Sequence, residues 1–385
     1  MTAPERWMIS SDSHVIEPPD LWTDRLGGDM RERGPRVVRE ADGDWWYVDG
    51  YKTMSFLGIQ TGARFEGGPD TLRTSATFSE VRPATQDPAA YLKENEQDGV
   101  WASVLYPSQG LVIYTVPVHD VVTASMAAYN DWLADFCGHD TTRLKGIAMV
   151  NVDDPDEGAA ELARCRERGL CGALITVAPP ARLPFRSPAY ERFWSTAEDL
   201  DMPLSLHVGT DRADPEIGRA AFRLNVKDVP PSAFVNKDFQ VRQAFADLIL
   251  SGVFERHPRL RIGTVEHELS WIPFFLDQLD YGYTSRPARG PEWRRFADAS
   301  ALPSDFFRRQ GFASFQEDGV GVRFRDLIGV DLLMWGSDYP HTESTFPRSR
   351  QIVADIFAGL PAEDLERVVS TNAAALYHFE VPVPA

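Results

Sequence analysis

The chain has 385 residues, 57 acidic and 39 basic, for a formal charge of −18 and an isoelectric point near 4.9. Acidity of this order argues against a nucleic-acid backbone as partner, and no run approaches the roughly 18 apolar residues that span a bilayer. A hydrophobic content of 43% allows one large α/β barrel or two ordinary domains. Cys137, Cys165 and Cys171 lack CxxC spacing and read as free thiols in a reducing cytoplasm. The opening MTAPERW has neither the basic nor the apolar region of a secretory signal.

The first predicted strand, Trp7 to His14, stops at Glu17-Pro18-Pro19, where two prolines end regular structure. The next stretch, about residues 20–88, does not read as a strand-helix unit. Arg36 to Glu40 and Asp44 to Tyr51, either side of Asp42-Gly43, carry a hairpin signal. This insertion is a candidate cap, in which Trp45 and Trp46 either line a substrate cleft or pack the hairpin down.

From Pro88 the rhythm is regular. Helix Pro88 to Asp98 precedes strand Trp101 to Tyr106, and helix Asp120 to Cys137 precedes strand Leu144 to Val150. Asp153 and Pro155 open a helix to Arg168, followed by strand Gly172 to Val177 and helix Pro188 to Asp201. Strand Pro203 to Val208 leads, after a long loop, to helix Asp238 to Leu250, strand Leu260 to Val265 and helix Leu269 to Leu279. A Gly/Pro/Arg-rich insertion, Tyr281 to Pro303 with arginines continuing to Arg309, comes before strand Phe312 to Gln316, helix Val320 to Ile328 and strand Leu332 to Trp335. Helices at Ser349 to Ala358 and Ala362 to Leu376 close the chain. Eight strands alternating with helices predict a single (β/α)8 TIM barrel over residues 1–385, with insertions after strand one and before strand seven.

Four strands end on ionisable groups: MISSDSH at Asp12 and His14, PLSLHVG at His207, RIGTVEH at His267, and LLMWGSDYPH at Asp338. Barrel sites lie at the C-terminal ends of the strands, so these side chains should meet there. Period-two alternation puts Asp12 and His14 on one face. Imidazoles and carboxylates together suit a divalent metal, Zn²⁺, Mn²⁺ or Fe²⁺ by donor type. Alternation points Glu266 and Glu268 away from the face of His267. His341 either touches substrate or orients a ligand. Glu317 and Asp318 end strand seven and either face the mouth or cap a helix. Tyr106, Trp46 and Arg289 are candidate substrate contacts. Arg289 belongs to an arginine cluster with Arg286, Arg294, Arg295, Arg308 and Arg309, any of which has the geometry to grip a carboxylate. Asn372 and His378 read as structural.

The Asp12-Ser13-His14 motif, His207 in LSLHVGT, the SDYPH stretch and HPRLRIGTVEHELSWIPFFLDQLD from His257 resemble the amidohydrolase superfamily. The resemblance is to its amidohydrolase-related branch, which includes aminocarboxymuconate semialdehyde and gamma-resorcylate decarboxylases. It implies Asp12, His14, His207 and Asp338 as ligands of one divalent metal, zinc foremost. It also implies His267 and Asp338 as catalytic groups and a homodimer as the assembly. Two departures stand out: Asp12 replaces the first histidine of the usual His-x-His, and strand four, GALITV, has no lysine or acid to bridge a second metal. Decarboxylation of a small carboxylated aromatic or unsaturated substrate is the reaction this branch implies. Hydrolysis by metal-activated water, or metal binding without turnover, are the alternatives.

Overall fold

The computed structural model describes residues 7–56, 62–68, 73, 75–212, 232, 235–286 and 296–381. Strand β1 (Met8–His14) is followed by three short strands, β2 (Arg36–Glu40), β3 (Gly43–Val48) and β4 (Tyr51–Ser55), which form a separate antiparallel sheet. The predicted hairpin is therefore three-stranded. Asp49 and Gly50, both with positive φ, turn the chain after Val48 and make Tyr51 the start of a third strand.

Seven further strands complete the barrel sheet with β1: β5 (Val100–Tyr106), β6 (Leu144–Met149), β7 (Gly172–Ile175), β8 (Leu204–His207), β9 (Ile262–Val265), β10 (Gly311–Phe315) and β11 (Leu333–Trp335). They run in sequence order, every pair parallel, as the alternating rhythm requires. Beyond the ends of the ladders the seam between β1 and β11 is closed by backbone bonds from Asp338 N to Asp12 O (2.9 Å) and His14 N to Tyr339 O (2.6 Å). Gly336 permits this approach, since a Cβ there would lie 2.5 Å from Asp12 Cβ.

Helix starts follow the local sequence. Asp87 and Asp154 each accept two N–H groups of the first turn, and each is followed by proline. Asp154, not Asp153, caps its helix; Asp153 is held by Arg212 instead. The last predicted helix is broken by a π turn at Arg367–Thr371. There Asn372 Nδ2 donates to Val330 O and Leu333 O beneath the last strand. All three cysteines are free and buried. No helix among the described residues is long and apolar enough to cross a membrane.

The register positions the site. His207 lies opposite Val265, Val265 opposite Ser314, and Ser314 opposite Met334, while His14 lies opposite Tyr106. The residues just past these positions therefore emerge at one level of the rim. Trp22, in the short helix Leu21–Arg25 that precedes the inserted sheet, donates from Nε1 to Ser125 O of helix His119–Cys137 on the barrel's flank, and β4 packs against the turn Gln109–Thr115 that follows β5. Segment 62–68 reaches the rim, where Arg64 meets Glu317 and Ser344 O.

Candidate functional site

At the C-terminal mouth, Asp12, His14, His207 and Asp338 converge. His14 Nε2 lies 3.4 Å from Asp12 Oδ1 and 3.1 Å from Asp338 Oδ1. His207 Nε2 lies 3.6 Å from Asp12 Oδ1. All four residues are buried. Two carbonyls set the imidazoles: His14 Nδ1 is 2.8 Å from Pro107 O, and His207 Nδ1 is 2.8 Å from Val208 O. A carbonyl can only accept, so Nδ1 carries the proton and Nε2 turns its lone pair inward.

Five buried atoms at this point make no well-aligned hydrogen bond among the described residues, although charged neighbours lie close to them: Asp12 Oδ1 and Oδ2, His14 Nε2, His207 Nε2 and Asp338 Oδ1. Buried polar atoms are almost always bonded, and these all belong to residues that face one another. The donor set, carboxylate oxygens with imidazole lone pairs, fits a divalent cation. The fixed charge has the matching sign. Against burial, which opposes the charge, the imidazoles of His14 and His207 pull Asp12 down to about 2. Also against burial, His341 and His14 hold Asp338 well below the ordinary carboxylate range. Despite burial, Asp12 and Asp338 raise the proton affinity of His14, and Asp12 with Glu266 raises that of His207. A site that draws protons onto buried imidazoles is one that favours positive charge.

A fifth side chain joins the set. Glu266 Oε2 is 3.5 Å from His207 Nε2, and one ligand atom from each of Asp12, His14, His207 and Glu266 fits within 4.8 Å. This corrects the expectation that Glu266 points away. Strand β9 ends at Val265, and Glu266 and Glu268 have φ of +66° and +59°, so alternation no longer applies. Burial, then the charge of Asp338, pushes Glu266 up to about 8. Asp338 has φ +54°, which makes three left-handed non-glycine residues at one rim.

His341 also belongs to the site. Its ring stacks on His14 with centroids 3.9 Å apart, its Nδ1 is 2.8 Å from Asp338 Oδ1, and its Nε2 is 2.8 Å from Ser108 Oγ. His267 stands outside the donor cluster. Its Nδ1 is 3.0 Å from Thr264 Oγ, and burial, with His207 nearby, drives its pKa well down, so the ring is neutral.

The proposed substrate contacts fare differently. Trp46 is 2% exposed and packs edge-on against Trp22, with ring centroids 5.1 Å apart. It holds the inserted sheet together and offers no face to a cleft, which corrects that expectation. Tyr106 lies under the imidazoles, 5.2 Å from the His207 ring, with its hydroxyl 2.8 Å from Ser205 Oγ, as part of the barrel's floor. Arg289, like Arg294 and Arg295, lies outside the described residues. Arg286 and Arg309 lie over the rings of Tyr281 and Phe306, and Arg308 binds Ser304 Oγ and Leu327 O. Asp318 accepts from Leu269 N, Ser270 N and Gly321 N, the capping role.

The amidohydrolase family profile matches residues 78–379. Among curated proteins, gamma-resorcylate decarboxylase of Rhodococcus jostii is 26% identical over 285 residues, 65% of this chain and 75% of that protein. Among solved structures, an amidohydrolase from Mycobacterium avium subsp. paratuberculosis superposes with a TM-score of 0.75 at 20% identity, covering 97% of this chain and all of that one. Dihydroxybenzoic acid decarboxylase from Polaromonas sp. JS666, with bound manganese and 2-nitroresorcinol, superposes with a TM-score of 0.62 at 16% identity, covering 97% of each chain. At these identities the two structures speak for the (β/α)8 fold alone.

Proposed function

The chain belongs to the amidohydrolase family, and on that footing we propose that it is a metal-dependent, non-oxidative decarboxylase of a small aromatic acid carrying a hydroxyl beside the carboxylate. The observation that carries the reading is the set of five unpartnered buried atoms on Asp12, His14, His207 and Asp338. The decarboxylase activity of the curated relative supports the reaction class.

Asp12, His14, His207 and Asp338 would hold one divalent cation, with Glu266 within reach of the same point. By donor type Zn²⁺, Mn²⁺ and Fe²⁺ all fit, and zinc is the metal the family resemblance led one to expect. The carboxylate-rich set and the manganese of the dihydroxybenzoic acid decarboxylase favour manganese here. When bound, the cation supplies a positive charge for the substrate's carboxylate and hydroxyl oxygens.

The chain's own groups do the rest. His14 and His341 lie 3.1 and 2.8 Å from Asp338 Oδ1 and keep the group a carboxylate, so Oδ2 acts as a shuttle that takes the proton of the substrate's hydroxyl. The ring carbon bearing the carboxylate takes that proton. The C–C bond then breaks, its electron pair restores the ring, and CO₂ leaves; solvent returns a proton to the substrate's ring oxygen. The neutral His267, its Nδ1 3.0 Å from Thr264 Oγ, would give a substrate oxygen a hydrogen bond from Nε2 in the tautomer in which Thr264 donates to Nδ1. Exclusion of water from this buried mouth strengthens both interactions.

The test is turnover of a panel of hydroxybenzoic acids by metal-replete protein in D₂O and, separately, in H₂¹⁸O. One CO₂ per acid, one deuterium on the vacated ring carbon and no ¹⁸O in the organic product are expected. An organic product that carries ¹⁸O, with no CO₂ released, would replace this reading by hydrolysis.

A further inference from the structure

Glu17 is fully buried three residues beyond His14. Burying a carboxylate is costly unless its oxygens are bonded, and burial pushes this one up to about 7. Both oxygens are taken by consecutive backbone groups: Oε2 accepts from Gln109 N and Oε1 from Gly110 N, each at 2.9 Å. Those groups begin the 3-10 turn Gln109–Thr115 that leaves β5 through Pro107 and Ser108.

The same four-residue link holds two imidazoles of the site. Pro107 O accepts from His14 Nδ1, and Ser108 Oγ bonds His341 Nε2, each at 2.8 Å. Glu17 therefore grips one end of Pro107–Gly110, while the other end orients one residue of the donor cluster and the ring stacked upon it. The link has little slack. A Cβ on Gly110 would lie 2.7 Å from Pro107 Cβ, 2.8 Å from Met149 Sδ and 3.0 Å from Glu17 Oε1.

We infer that Glu17 is a positioning residue of the site: its two backbone hydrogen bonds lock the Pro107–Gly110 link, which in turn fixes the His14 and His341 rings. The inference rests on the reading that these rings serve a metal site. Sequence order alone does not reveal it, because Glu17 acts on a loop about ninety residues away. Residues that orient metal-binding histidines typically change affinity by about 10–100-fold when replaced.

The experiment titrates Mn²⁺ into chelator-treated protein, with free Mn²⁺ followed by electron paramagnetic resonance and stability by melting temperature. Glu17→Gln puts an amide N–H₂ against a backbone N–H and loses one bond of the clamp; Gly110→Ala disturbs the same clamp without altering the carboxylate. Both are expected to weaken Mn²⁺ binding about 10–100-fold. Asp98→Asn is the control, a buried carboxylate that clamps Ser349 N at 3.0 Å elsewhere in the fold. It should lower the melting temperature and leave Mn²⁺ affinity unchanged. Wild-type affinity in Glu17→Gln, or an equal loss in Asp98→Asn, overturns the inference and leaves Glu17 a residue of the fold. If Glu17→Gln does not fold, Gly110→Ala decides: weakened binding supports the clamp and wild-type binding overturns it. Failure of the wild-type protein itself to bind Mn²⁺ or Zn²⁺ is a different result, which removes the metal-site reading beneath.

Discussion

The barrel mouth and the inserted sheet both bury carboxylates and large aromatic rings, yet they use them in opposite ways. In the sheet, buried Asp44 is held by the Arg39 guanidinium and accepts from Phe78 N at 2.8 Å. Trp46 fills its apolar core beside Trp22 and Phe56. At the mouth, both oxygens of Asp12 lack a hydrogen-bond partner among the described residues, and inward-facing imidazole nitrogens share that state. Burial of charge is therefore no sign of function by itself. What separates the two regions is that at the mouth several carboxylate and imidazole atoms without a hydrogen-bond partner among the described residues face one another, where the sheet has the indole Nε1 of Trp46; such clustered capacity costs stability unless a ligand completes it.

The sharpest way to break the contrast is at Asp338. Asp338→Ala is expected to lower kcat by on the order of 10³–10⁴-fold and to weaken metal retention, with an unchanged far-UV circular dichroism spectrum. Near-normal turnover would remove Asp338 from the chemistry. His267→Ala divides the mouth itself into cluster and catalyst. The metal content should match wild type by elemental analysis while kcat falls about 10²–10³-fold. A protein that loses its metal with His267 would place that ring among the ligands. The smallest effect on activity belongs to the sheet. Trp46→Phe should cost about 1–2 kcal/mol in denaturant melts through lost packing and leave kcat and KM within about twofold, as for sites remote from the chemistry. A kcat loss larger than the stability change explains would bring the insertion into the site after all.

How much of this was legible beforehand depended on the range of the signal. Strand-helix alternation and polar strand ends are local patterns. They predicted the barrel and put Asp12, His14, His207, His267 and Asp338 at strand ends; the family resemblance, not the pattern, set His267 apart from the other four. Alternation holds only while the backbone is extended, so it failed one residue past β9, where positive φ turns Glu266 toward His207. The insertion misled in another way. An exposed-looking tryptophan pair and a packed one have the same sequence, and only the third strand and Trp22 show where Trp46 goes.

The sequence alone determined the eight barrel strands and which ionisable groups stand at their ends, because β-strand period and helix capping act over a few residues. Tertiary structure alone decided that Glu266 joins the cluster, that His341 stacks on His14, and that Glu17 grips the loop holding both rings. Those contacts depend on closure of the barrel, which brings together residues tens to hundreds of positions apart and sets the backbone angles at its rim.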